Sequence, residues 1–178
     1  QECNGCVDVD VMTNATYLSA SWCCGWQDLQ SGLASYSVAF GTSPDDMDIM
    51  DWTPVGMNTT YTLWGVDLVT AQRYYACVVA SNQAGLFSSP VCSDGFVYDS
   101  TPPVMLEVLD GLTSGVDVDQ QSYANMAFAT YLAQDNETAV VDYVFSLGFS
   151  PGDDSVFPPK TAANSTFNGA IRNFAREA

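Results

Sequence analysis

The chain reads as all-β: short antiparallel strands built into two β-sandwiches in tandem, the second of them incomplete. Three observations predict it. Short apolar/polar alternations recur at regular spacing with turn signals between them, and no long 3.6-residue period appears in the first half. Nearly half of the 178 residues are apolar (47%), enough to bury a core. The second half repeats the landmarks of the first in the same order.

Residues 1–6 carry Cys3 and Cys6 and little else, so they form a tethered lead segment. Val7-Asp-Val-Asp-Val11 alternates strictly and predicts a strand with one wet face. Thr16 to Trp22 alternates too, with Leu18, Ala20 and Trp22 on one side. The polar run Gln27 to Gly32 predicts a turn, and Leu33 to Phe40 a strand with Tyr36, Val38 and Phe40 facing one way. Gly41-Thr-Ser-Pro44 stops it, because glycine and proline break strand pairing. Asp45 to Asp51 reads as an acidic loop and Thr59 to Val66 as a strand with Tyr61 and Leu63 inward. Arg73 to Ala80 sets Tyr74, Ala76, Val78 and Ala80 against Tyr75, Cys77 and Val79. Asn82 to Gly85 turns the chain, and Phe87 to Val97 returns.

These landmarks resemble a fibronectin type III module, a member of the Ig-like β-sandwiches. The residues that carry the likeness are Leu18-x-Ala-x-Trp22, Tyr36-x-Val-x-Phe40, Leu68 followed six positions on by Tyr74, and Tyr74-x-Ala-x-Val-x-Ala-x-Asn82-x-x-Gly85. The likeness implies that Trp22 and Tyr36 form the core. It also implies that Tyr74 makes a tyrosine corner, its hydroxyl tying a loop to the backbone. Asp28-Leu-Gln-Ser-Gly32, Gly41-Thr-Ser-Pro44 and Ser93-Asp-Gly … Val97-Tyr-Asp-Ser-Thr-Pro-Pro103 resemble more narrowly a variant repeated in tandem in large extracellular proteins. The Cys23-Cys24 pair is a departure from the family pattern.

The first module spans 7–100, and Thr101-Pro-Pro103 is a stiff joint to a second over 101–178. There Val116-Asp-Val-Asp119 copies Val7-Asp-Val-Asp10, Tyr131 takes the Trp22 place, and Asp135 copies Asp28. Tyr143 copies Tyr36, Gly148-Phe-Ser-Pro151 copies Gly41-Thr-Ser-Pro44, and Asn164 copies Asn58. On this alignment Ala178 matches Gln72, so the counterpart of Arg73 to Tyr98, the last two strands, is missing. A half-sandwich of that kind exposes its core and an unpaired edge and is not expected to be stable alone. The expectation is either a piece of a longer array or strands donated by a neighbouring subunit. Ile171 and Phe174, three apart, leave a helical turn as an alternative for Asn168 to Ala178.

Charge excludes several functions. The net charge is −17, with 21 acidic residues against Arg73, Lys160, Arg172 and Arg176. Such a surface repels nucleic acid and anionic membranes, and no apolar run is long enough for a membrane span. The absence of histidine rules out Ser–His–Asp and Cys–His arrangements, and no phosphate-binding glycine loop precedes a helix. A pair of carboxylates acting as a glycosidase dyad is all that remains for catalysis, and any acidic sandwich offers such pairs. The chain therefore reads as no enzyme.

Six cysteines and no histidine favour a disulfide framework in an oxidising compartment over zinc; buried free thiols are the alternative. Cys77 and Cys92 stand symmetrically about the Gln83–Gly85 turn, which places them opposite one another in a hairpin. By elimination Cys3 and Cys6 pair with Cys23 and Cys24, an inter-chain bond being the alternative. Asn14, Asn58, Asn136 and Asn164 each open an Asn-x-Thr sequon, which predicts N-linked glycans and a secreted or cell-surface location. The start at Gln1 reads as that of a mature or excised segment. Asp94, Asp99 and Asp110 are the calcium candidates, gathered at the joint between modules. Trp26, Trp52 and Trp64 lie outside the core pattern, as local packing or as stacking surfaces.

Together these point to an extracellular structural module: a glycosylated subunit or repeat of a fibre, stalk or surface coat. Its partners are other copies of itself or further modules of the same chain. The alternative is a fragment of an adhesion or receptor ectodomain that binds protein or glycan through loops such as Gly41–Trp52.

Overall fold

The computed structural model describes residues 8–13, 16–22, 26–44, 46–111, 113, 115–120, 122, 126–162 and 168–172. Among them the chain is all-β, with no helix. It divides into two compact units, Gln1–Thr101 and Pro102–Ala178.

The first unit holds β1 (Val11–Met12), β2 (Tyr17–Ser21), β3 (Leu33–Gly41), β4 (Met50–Gly56), β5 (Thr60–Trp64), β6 (Arg73–Asn82), β7 (Val91–Cys92) and β8 (Phe96–Tyr98). One sheet runs β1-β8-β6-β3-β4, with β7 beside β6, and β2 pairs with β5 in another. Period-two alternation sends one row of side chains from each strand into a shared interior. That interior contains Leu18, Trp22, Tyr36, Val38, Phe40, Tyr74, Val78, Ala80 and Tyr98, with Tyr61 and Leu63 packed against it. Trp22 meets Tyr36 edge-on, ring centroids 6.1 Å apart, and Trp26 meets the same tyrosine at 6.2 Å. Such edge-to-face geometry suits the aromatic quadrupole.

Turn chemistry closes this unit. Asp28 Oδ1 accepts from the amides of Gln30 (2.9 Å) and Ser31 (2.8 Å), the Asx pattern that turns the chain into β3. Asn82 Oδ1 accepts from Ala84 and Leu86 and shapes the β6 exit. The Tyr74 hydroxyl, on a side chain 3% exposed, accepts from the Val69 amide at 2.7 Å and ties the loop before β6 to the core. Gly95 has φ +79°, and a Cβ there would lie 2.7 Å from the Tyr74 carbonyl oxygen and 2.8 Å from the Tyr75 ring. Only glycine fits both demands.

The second unit holds β9 (Val104–Asp110), β10 (Met126–Gln134), β11 (Tyr143–Leu147), β12 (Phe157–Ala162) and β13 (Asn168–Arg172). One sheet runs β13-β10-β9, and β11 pairs with β12 in another.

The β3–β4 hairpin of the first unit returns in β11–β12 with the same register from Ser37 and Val144 onward, although Tyr36 pairs with Gly56 where Tyr143 pairs with Ala162, one residue short of the same displacement. Ser37↔Pro54, Val38↔Thr53 and Phe40↔Met50 recur as Val144↔Thr161, Phe145↔Lys160 and Leu147↔Phe157, each at the same displacement along the chain. The irregularity between Val38 and Phe40 recurs between Phe145 and Leu147. The bond Ile49 N to Phe40 O recurs as Val156 N to Leu147 O, and Asp46 N to Ser43 O as Asp153 N to Ser150 O. A Cβ on Gly41 would overlap the Asp46 carbonyl, and one on Gly148 the Asp153 carbonyl. Asp135 Oδ1 accepts from Glu137 N and Thr138 N, as Asp28 does two and three residues on.

Four expectations need correction. Asp8 to Asp10 is not strand, and pairing starts only at Val11, parallel to Val97. The Asp8 carboxylate takes the Val9 amide at 3.0 Å, a local bond that competes with a ladder. Val116 to Asp119 is not strand either; the unit opens on Val104–Asp110 instead, antiparallel to β10. The acidic loop ends at Met50, where β4 begins. Asn168–Arg172 is a strand rather than a helical turn, because its backbone is taken up by β10.

Candidate functional site: an open cleft in the second unit

In β11, Tyr143, Phe145 and Leu147 stand at alternate positions and face one way, as Tyr36, Val38 and Phe40 do in β3. The difference lies on the far edge. β3 is flanked by both β4 and β6, whereas β11 pairs, among the described residues, with β12 alone. Where β6 covers the first unit's core, the second has a cleft of about 530 Å³. Met105, Val108, Phe128, Tyr131, Phe145 and Leu147 supply apolar walls, and Asp110 and Asp119 are its charged lining.

Two hydroxyls of its lining, and a third on β10, lack a partner among the described residues. Tyr143 is 4% exposed, yet its hydroxyl finds no partner among the described residues, and neither do those of Tyr131 and Thr130. A buried polar group left unpaired costs about 1–3 kcal/mol. Tyr131 and Tyr143 pack together at a ring separation of 4.7 Å and 43° between planes, closer and less edge-on than Trp22 and Tyr36. Burial, and then the neighbouring Tyr143, push the Tyr131 hydroxyl above the usual tyrosine range. Val144, also in the cleft lining, is 68% exposed, and Val104, Met105, Leu106 and Val108 of β9 are exposed as well. Among the described residues the arrangement offers an apolar trough, hydroxyls without a partner and, at β11, an edge with no second strand.

The remaining sequence-predicted positions fall elsewhere. Cys77 and Cys92 are disulfide-bonded, Cα atoms 4.0 Å apart, directly opposite in the β6–β7 pair. The bridge lies on the face of β6 opposite to Tyr74, Val78 and Ala80, under the Pro44 carbonyl, which is 3.7 Å from one sulfur and 3.6 Å from the other. Cys3, Cys6, Cys23 and Cys24 lie outside the described residues, as do Asn14 and Asn164. Asn58 and Asn136 are exposed.

The carboxylates expected to gather as Asp94, Asp99 and Asp110 group differently. Asp94 converges with Asp8 and Asp10, one oxygen of each within 4.8 Å of the others, all three exposed. Asp99 is buried and accepts from the Thr101 amide, while Asp110 belongs to the second unit, where its own amide donates to Asp117. The trio could supply three oxygens to a divalent cation, fewer than the six to eight that calcium takes.

Of the tryptophans outside the core pattern, Trp26 packs against the core, and Trp64 is 70% exposed, its ring tilted at 48° against Tyr17 with centroids 5.0 Å apart across β2 and β5. Sequence reasoning missed β9, which forms one wall of the cleft. Val104-Met-Leu-Glu-Val-Leu-Asp110 carries apolar residues on both faces, so it lacks the alternation that marks a half-buried strand. No helix among the described residues is long and apolar enough to cross a membrane. No known protein-family model matches this chain, and no curated protein matches it as a relative.

Proposed function

We propose that this chain is an extracellular structural module. It is a glycosylated subunit or repeat of a fibre, stalk or surface coat, built from two fibronectin type III-like sandwiches and joined to its neighbours by β-strand contacts. One observation carries the reading: from Ser37 and Val144 onward β11–β12 repeats the register of the β3–β4 hairpin, yet among the described residues no strand flanks β11 as β6 flanks β3. A strand edge of this kind is open to pairing with a further strand, and strand addition is a general route to linear assembly. The Cys77–Cys92 bridge, the four sequons and the absence of histidine support an oxidising, non-catalytic setting. Electron micrographs of the purified glycoprotein test it. Regular filaments or sheets are expected, and dispersed rods at every concentration overturn it. N-glycosidase treatment should also lower the mass, and an unchanged mass removes the secretory argument.

A second reading is favoured by the Tyr17–Trp64 pair. An exposed tryptophan packed against tyrosine, beside the Ser19–Thr62 hydroxyl pair (3.0 Å), is a platform of the kind that binds a sugar or a protein. On that reading the chain is part of an adhesion or receptor ectodomain. Loss of glycan or protein capture in Trp64→Ala, with filaments unaffected, would select it.

A further inference from the structure

We infer that the outer face of β2–β5 is a docking strip for a glycan the chain itself carries, the N-linked oligosaccharide of Asn58, whose outer sugars stack on Trp64. This rests on the glycosylated-module reading above and names what lies on the Tyr17–Trp64 platform.

The strip follows from the register. β2 and β5 pair with Ser21↔Thr60, Ser19↔Thr62 and Tyr17↔Trp64. Ala20, Tyr61, Leu18 and Leu63, which alternate with these rows, pack into the core, so the three rows face outward. Along β5 they run from two pairs of hydroxyls to an aromatic pair. None of the six side chains is charged, in a chain with 21 acidic residues. Ser19 and Thr62 share one hydrogen bond of 3.0 Å. A hydroxyl has one donor and two acceptor positions, so each keeps capacity for a ligand. Trp64 is 70% exposed, and half-buried Tyr17 supports its ring from one side. Such a strip suits a neutral, polyhydroxylated ligand: hydroxyls meet its hydroxyls, and an apolar ring meets its C–H face. A cationic partner finds no complementary charge on these rows, and the net charge of −17 repels an anionic one.

The occupant is given by what stands at the strip's end. The sequon Asn58-Thr59-Thr60 runs into its first row, since Thr60 is both the sequon's hydroxyl residue and the partner of Ser21. Asn58 is exposed, in the turn between β4 and β5. The Thr59 carbonyl accepts from Trp22 N at 2.9 Å, so pairing with the β2 side continues into the sequon. Trp64 lies six positions beyond Asn58, about 20 Å of extended strand. A branched oligosaccharide covers that span and a single sugar does not. Attachment at one end also makes the docking intramolecular, which sets the sugar's effective concentration at the ring above that of a free saccharide.

The test uses the glycoprotein secreted by eukaryotic cells and oxidative footprinting read by peptide mass at Trp64, with Trp26 as internal reference. The same maps read the occupancy of Asn58. Parent, Asn58→Gln and Asn14→Gln are compared. The Asn14→Gln chain is also deglycosylated after folding, which removes the Asn58 glycan without a substitution there. The expected result is an occupied Asn58 and oxidation of Trp64 about twofold faster in Asn58→Gln and in the deglycosylated chain, as one face of the ring is uncovered. Trp26, and Trp64 of intact Asn14→Gln, should keep the parent rate. An occupied Asn58 with equal oxidation of Trp64 in parent and Asn58→Gln overturns the inference and leaves the glycosylated-module reading standing. A rise in intact Asn14→Gln alone puts the other glycan on the ring and overturns it too. So does protection of Trp64 that grows with protein concentration, which puts a second copy there. An Asn58 without glycan also overturns the inference, and only a chain without glycan at any sequon takes the secretory argument with it.

Discussion

Asn82 donates a 2.6 Å hydrogen bond from Nδ2 to Oδ2 of Asp28, joining the turn that enters β3 to the turn that leaves β6. The same Asp28 carboxylate accepts two backbone amides through its other oxygen. The Ser31 amide first, then Asn82 and the Gln30 amide, hold the Asp28 carboxyl below the usual carboxylate range. The ionised form is therefore favoured by folding. Its contribution is complete above the unfolded pKa and is lost as pH falls through the lower, folded value. Asp28→Asn keeps an acceptor for the turn amides but has no charge to lose. The difference in melting temperature between the parent and Asp28→Asn should be greatest above about pH 4 and shrink below it. A difference that does not depend on pH would mean the charge contributes nothing.

The tyrosine corner gives a second test. Tyr74→Phe keeps the ring in its buried place and removes the acceptor for the Val69 amide. Val69 is exposed, so water recovers part of the loss. The expected cost is about 1 kcal/mol. All four tryptophans lie in the first unit, so urea unfolding followed by tryptophan fluorescence reads that unit directly. An unchanged midpoint would show that the hydroxyl bond is replaced by solvent at no loss.

Trp22→Ala empties the largest side chain of the first core, where the ring is 8% exposed and meets Tyr36 edge-on. A loss of roughly 3–5 kcal/mol is expected from chemical denaturation, since the cavity collapses only in part. A near-neutral result would place the indole outside the packed interior.

Much of this was legible in the residues, and the failures have physical causes. Period-two runs bounded by glycine and proline marked β2, β3, β5 and β6 correctly, because each sends alternate apolar side chains into the first unit's core. The repeat was legible at Tyr143 and Gly148, where packing and close backbone approach leave few choices. It misled at Val116 to Asp119, where a likeness of four residues had no ladder to enforce it. β4 was hidden because Asp51 and Pro54 break its pattern; it is an edge strand, where proline costs no ladder bond on the open side. The cleft was legible only as an absence of strands. Its walls and unpaired hydroxyls depend on β9, which no periodicity announced.

Gly41 and Gly148 make a paired test of the repeat. A Cβ at either one would overlap a backbone carbonyl, that of Asp46 or of Asp153, which cannot swing aside as a side chain does. Gly41→Ala should destabilise the first unit by about 1–3 kcal/mol, read by tryptophan fluorescence. Gly148→Ala should loosen the β11–β12 hairpin, read as faster amide exchange at Tyr143–Leu147. If one substitution is tolerated and the other not, the two turns are not equivalent in energy, whatever their shared hydrogen bonds.

The disulfide supplies the last test. Cys77 and Cys92 are 15 residues apart, and their bond closes the β6–β7 connection on the outer face of the sheet. A loop of that size restricts the unfolded chain by about 3 kcal/mol in the chain-entropy account. Peptide mapping without reductant should recover one cross-linked species joining Cys77 to Cys92. The double variant Cys77→Ala, Cys92→Ala should lower stability by about 2–4 kcal/mol while keeping the tryptophan environment of the folded state. The core on the other face does not use either sulfur, so the sheet should persist without the bridge. A variant whose tryptophans are already solvent-exposed in the absence of denaturant would show instead that β7 and β8 cannot hold to β6 without the covalent link.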